Sequence, residues 1–162
     1  MDSAIDGLKE LTVIYDTLTQ QKDFYKANQV QIQIRAVKAW MLFKQGKNNE
    51  ALDLMKVAAE MEDNTQKHPV TPGEVLPAME LLGDMLLQMN KPSQALEIYE
   101  IDLKKHPKRF NGLYGAGAAA ERSNDLKKAQ AYYRQLTGIA NSAVSHRPEI
   151  DTAQLFLQKH DR

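Results

Sequence analysis

Glu80 and Asp84 are two carboxylates four residues apart in a stretch with helical patterning. That spacing puts both on one helix face, where a carboxylate pair could do acid-base work or hold a divalent ion. A solvated helix face explains them more simply. The four histidines, at 68, 106, 146 and 160, stand in separate loops or helix ends; none is read as having a second ligand at helical metal spacing, and all are expected on the surface. Gly112, Gly115 and Gly117 crowd into the run Gly112-Leu-Tyr-Gly-Ala-Gly117. No strand pattern precedes them, so packing is expected rather than dinucleotide binding. The chain has no cysteine nucleophile and no phosphate-loop or zinc-protease motif. No catalytic residues, metal site or cofactor are expected, and the chain is read as no enzyme.

The elements that carry these residues repeat. Gly83 and Gly117, Asn90 and Asn124, Ala95 and Ala129, and Tyr99 and Tyr133 are each 34 residues apart without a gap. Self-similarity at that period marks a helix-turn-helix solenoid, in which neighbouring units must stack to bury their apolar faces. The two clear copies run from Leu76 to Arg109 and from Phe110 to Ala143. A degenerate copy, Ile32 to Thr65, keeps Gly46 at the turn and Ala51 at the packing position, with Met55 where an aromatic is expected. Residues 66–75 are extra, and their two prolines and glycine predict a loop with little secondary structure. Glycine inside a helix costs roughly 1 kcal/mol relative to alanine, so Gly83 and Gly117 predict close helix crossings, served from the second helix by Ala95 and Ala129. Gly46, Asn90 and Asn124 tolerate the left-handed conformation that ends a helix.

Outside the repeats, Ser3 and Asp6 resemble a capping box, and Ile5, Leu8, Leu11, Ile14, Tyr15 and Leu18 form a helical stripe. Pro148 opens a short last helix through Ile150, Ala153 and Phe156, read as a cap on the final repeat. The full expectation is eight helices near 2–20, 23–45, 48–63, 74–89, 92–105, 109–123, 125–140 and 148–159 in one helical domain, 1–162. Six methionines cluster at 41, 55, 61, 79, 85 and 89, where core filling is expected more than an adaptable binding surface. Twenty-one basic and twenty-one acidic residues cancel, so charge suggests neither nucleic acid nor an anionic membrane as partner. No apolar run is long enough to span a bilayer. No signal peptide is read, because a helix pattern follows Met1 at once, and the same abrupt opening is expected of a piece cut from something longer. Without cysteine the redox compartment stays open.

Leu82-Gly83, Ala95, Tyr99 and Pro107 fall at positions seven, eight, twenty, twenty-four and thirty-two of the second copy, which resembles a tetratricopeptide repeat (TPR). The third copy departs from the pattern at Asn141, where the closing proline would stand. The run Lys67 to Ala78, followed by the two good copies, is similar to the C-terminal region of longer bacterial TPR proteins of unassigned function, many of them exported. That leaves the compartment open between cytoplasm and periplasm. The resemblance implies a right-handed superhelical solenoid of antiparallel helix pairs, and a scaffold whose concave groove takes a peptide or a partner helix. Groove positions of the family fall here on Trp40, Glu80, Asp84, Leu87, Tyr114 and Arg122 among others. A ligand carrying both signs of charge would lie across the first helices of the second and third copies. Ala36, Trp40, Leu81, Asn111 and Gly115 occupy the places where a carboxylate-clamp TPR needs its Lys, Asn and further basic residues, so that subclass is not expected. The alternative is a self-association or docking module, with a monomer favoured and the oligomeric state left open.

Overall fold

Proline, asparagine and glycine set where the helices end. The computed structural model describes residues 2–65, 76–140 and 147–160 of the 162. They form eight α-helices: α1 (Asp2–Gln20), α2 (Phe24–Lys44), α3 (Asn48–Asp63), α4 (Ala78–Gln88), α5 (Pro92–Lys105), α6 (Phe110–Arg122), α7 (Leu126–Ala140) and α8 (Pro148–His160). No strand occurs among the described residues, so the class is all-α. The chain divides into two compact units, residues 1–82 and 83–162. The expected loop at 66–75, with His68, and the positions of Asn141 and His146 lie outside the described residues.

In the first unit α1 packs on α2, and α2 on α3. Asp23 starts α2 by accepting a hydrogen bond from the Lys26 backbone N–H at 3.2 Å and from Lys26 Nζ at 2.7 Å. Those bonds hold its carboxyl below the usual range. The α2–α3 contact is built on small residues: Ala27, Ala36 and Ala39 on one helix and Ala51, Ala58 and Ala59 on the other are buried, with Ile32, Ile34, Leu52 and Met55 among them. Alanine removes the side-chain bulk that would otherwise hold helix axes apart. Gly46 ends α2 at φ +79°, as the turn requires.

One helix boundary departs from the sequence pattern. α4 begins at Ala78, so Leu76 and Pro77 lie outside the helix expected from 74. Proline disfavours helical φ/ψ in the residue before it, and Pro77 acts as the cap, its carbonyl accepting from Leu81 N–H at 3.1 Å. Pro77 offers no side-chain acceptor, and a carboxylate from another helix supplies one: Glu62, on α3, accepts from Ala78 N–H at 2.6 Å.

The second unit is organised by two tyrosines. Tyr99 on α5 and Tyr133 on α7 are almost wholly buried. A Cβ on Gly83 would come within 2.7 Å of the Tyr99 ring, one on Gly115 would collide with the same ring, and one on Gly117 would come within 2.5 Å of the Tyr133 ring. The repeat glycines therefore make room for aromatic rings; the close helix crossing expected of them is filled by a side chain rather than by backbone. Asn90 and Asn124 take the left-handed conformation at φ 57° and 64°, as their place between helices implies. α8 packs on α7 and touches α6. Phe156 meets the Tyr133 ring edge-on at 5.0 Å between centroids, and Gln130 donates to the His160 carbonyl at 2.7 Å, so α8 covers this end of the array. Of the clustered methionines, Met55 and Met85 are fully buried.

Candidate interaction site

Each buried tyrosine must place a hydroxyl, and the two repeats solve this differently. Tyr99 donates to the Asp84 carboxylate on α4. Tyr133 donates to Glu121 on α6 at 3.0 Å. A buried hydroxyl left without an acceptor would cost about 1–3 kcal/mol, so each carboxylate is tied to its own repeat. Burial first, then the Glu121 charge and hydrogen bond, push the Tyr133 hydroxyl far above the usual phenol range. Asp84 is thus a structural acceptor first; half-buried, it keeps only part of its surface for a ligand.

Around these anchors the second unit places the other expected groove residues of α4 and α6. Leu87 and Tyr114 are half-buried, Tyr114 lying 6.3 Å from Tyr133 ring to ring. Arg122, exposed at the end of α6, donates to the side-chain oxygen of Asn90 at 3.1 Å. The Tyr99 ring lies against both Gly83 on α4 and Gly115 on α6, and Arg122 bonds Asn90 in the turn that follows α4.

Two expected residues stand apart from this set. Glu80 is only 1% exposed, so the solvated face expected for the Glu80–Asp84 pair is wrong for Glu80, which has no surface to offer a ligand. Trp40, in the first unit, is half-buried and meets Phe43 edge-on at 5.7 Å.

Sequence reading passed over two polar clusters. Asp102 is buried at 1% exposure and pairs with His106, the residue that caps α5, at 2.8 Å; their four-residue spacing was a usable signal, and His106 is half-buried rather than on the surface as expected. Glu100 receives both Lys128 Nζ at 2.7 Å and the Tyr132 hydroxyl at 3.0 Å. Burial, and then this bond to Glu100, push Tyr132 up to about 12, and the same carboxylate raises Lys128. Nothing local in the sequence announces that trio, because Glu100 stands on another helix, 32 residues before Tyr132. Among the described residues no group of three or more His, Asp and Glu could hold a metal ion, and no helix is long and apolar enough to cross a membrane.

No protein-family model matches the chain, and no curated protein matches it. Solved structures do. The crystal structure of PcrH from Pseudomonas aeruginosa aligns with a TM-score of 0.63 at 13% identity, covering 82% of this chain and 92% of that one. MamA, residues 41 to the end, from Desulfovibrio magneticus RS-1 aligns at 0.54 and 14% identity over 95% and 93%. The ArsTM double mutant of MamA from RS-1 aligns equally well. Both proteins are TPR-type helical proteins, and the fold of this chain is TPR-like.

Proposed function

We propose that this chain is a protein-interaction scaffold that holds a peptide or a partner helix against the first helices of its second and third repeats. The observation that carries the reading is the contact of the Tyr99 ring with both α4 and α6 in the second unit. Tyr99 lies against both helices and Arg122 bonds Asn90 in the turn after α4, while Leu87, Tyr114 and Arg122 keep surface on them. Half-covered apolar side chains with a charged rim suit a segment that inserts an apolar anchor and pairs charges at its edge. Glu80 drops out of the contact set because it is buried. Exposed charge pairs give only about 0.2–1 kcal/mol each, so specificity at Arg122 is modest and Tyr114 and Leu87 carry more of the affinity. Affinity purification from the source cell with the parent and with a Tyr114→Ala, Arg122→Glu variant tests this. A polypeptide retained by the parent and lost by the variant supports the site; equal retention removes it.

Self-association is the second reading, favoured by exposed apolar side chains of the first unit: Val13 at 65% on α1 and Phe24 at 67% at the start of α2. Sedimentation velocity over a wide concentration range decides it. A dimer that dissociates on Val13→Ser with Phe24→Ser supports this reading, and a monomer throughout contradicts it.

A further inference from the structure

Of the two carboxylates that receive a tyrosine hydroxyl, Asp84 is half-buried and Glu121 is exposed. The Tyr133 bond engages Glu121 Oε2 at 3.0 Å and limits the rotation of that side chain, while Oε1 accepts no hydrogen bond among the described residues. No cation among the described residues pairs with Glu121 either. Arg122, next along α6, donates instead to the Asn90 side-chain oxygen at 3.1 Å. Glu121 stands in the last turn of α6, at the negative end of the helix dipole, where a cation is favoured and an anion is not. Tyr114 and Ala118 stand seven and three positions before it, so the three share one side of the helix. Both are half-buried, and the Tyr114 ring rests near the Tyr133 ring at 6.3 Å. Between Tyr114 and Glu121 the helix rises about 10 Å, and on that side only the methyl of Ala118 stands between them.

We infer that Glu121 is a specificity residue of the α4–α6 site, and that the segment bound there presents an arginine or lysine to it, with the stem of that side chain laid over Ala118 and against Tyr114. The inference rests on the reading of that site proposed above and adds the charge its occupant carries. Long basic side chains cover apolar surface with their methylenes while the charged head stays at the edge, and the small Ala118 leaves room for such a stem. The Tyr114 ring offers a face on which a cation is attracted. Because Tyr133 already holds the Glu121 carboxylate, less side-chain freedom is lost when a cation binds than at an untethered glutamate. An acidic side chain at the same place would meet Glu121 and the negative end of α6 together.

Selection of a displayed library of random peptides on the full chain, followed by fluorescence anisotropy with a labelled selected peptide, tests the inference. Expected are peptides that carry a basic residue beside an apolar one and that no longer bind the Tyr114→Ala chain. Glu121→Gln, which keeps an acceptor oxygen for Tyr133, should weaken such a peptide about fivefold, the upper range for an exposed charge pair. Replacing the peptide's basic residue by glutamine should weaken it equally, and the two changes together should cost no more than either alone, as required of groups that meet each other. Selection on the Glu121→Lys chain should return acidic peptides instead. Peptides that need Tyr114 but carry no basic residue, acidic peptides selected on the parent chain, or additive losses from the two glutamine changes would each overturn the inference and leave the α4–α6 site standing. Selected peptides indifferent to Tyr114→Ala, or no selection at all, would remove that site and this inference with it.

Discussion

A hydrogen atom on each of three α-carbons decides whether two tyrosine rings can enter the core. Gly117→Leu should cost about 3 kcal/mol or more, the upper range for overpacking, because a Cβ there already meets the Tyr133 ring at 2.5 Å. Gly138→Ala is the control: it is exposed on α7, with nothing within 4 Å of a new Cβ, and should be neutral or stabilising by up to about 1 kcal/mol. Urea denaturation of both variants checks the contrast, and similar midpoints would contradict the ring-pocket role of Gly117. The alkaline limb of stability is also set by single residues. Tyr132 holds its proton in the folded state up to about 12, against 10 for a free phenol, and Tyr133 is raised further. Folded values above unfolded ones mean that this stability is fully present below pH 10 and is lost as pH rises through 10 toward 12. Urea midpoints followed across that window should fall more steeply for the parent than for Tyr132→Phe; parallel curves would show that Tyr132 does not titrate differently on folding. Asp84→Lys, which on sequence alone looks like a clean test of ligand charge, should instead destabilise the fold, because it removes the acceptor of the Tyr99 hydroxyl.

Helix positions were largely legible because their signals are local. Turn residues Gly46, Asn90 and Asn124 and the N-terminal prolines 92 and 148 mark ends within a residue or so of those found. The α4 start was only half legible: Pro77 is a local signal against helix at Leu76, but the acceptor of the first N–H, Glu62, belongs to another helix sixteen residues away. Glu62→Ala should therefore cost about 1 kcal/mol, the typical value of a lost helix cap, and Glu62→Gln, which keeps an acceptor oxygen, clearly less. Equal losses in the two variants, read by thermal melting, would mean that the charge near the α4 dipole matters more than the cap bond. The candidate site was half legible for a similar reason. The resemblance to TPR repeats pointed to Leu87, Tyr114 and Arg122 on the first helices, yet neither it nor the 34-residue period can say which carboxylate a buried tyrosine will recruit. Thus Asp84 was read as a solvated charge, and Glu121, at a different position of its repeat, serves Tyr133. The burial of Glu80 depends on tertiary contacts that no spacing rule reports.

At the scale of the molecule, the two readings proposed for this TPR-like fold rest on different surfaces. They are the α4–α6 face and the exposed apolar residues of α1 and α2. The most direct measurement is site-specific photocrosslinking in the source cell, with a benzophenone amino acid placed in turn at Leu87, Tyr114, Val13 and the control position Gly138. A scaffold acting through α4 and α6 should give a discrete adduct with a different polypeptide from positions 87 and 114 and none from 138. Adducts from position 13 alone, at the mass of two copies of this chain, would contradict it.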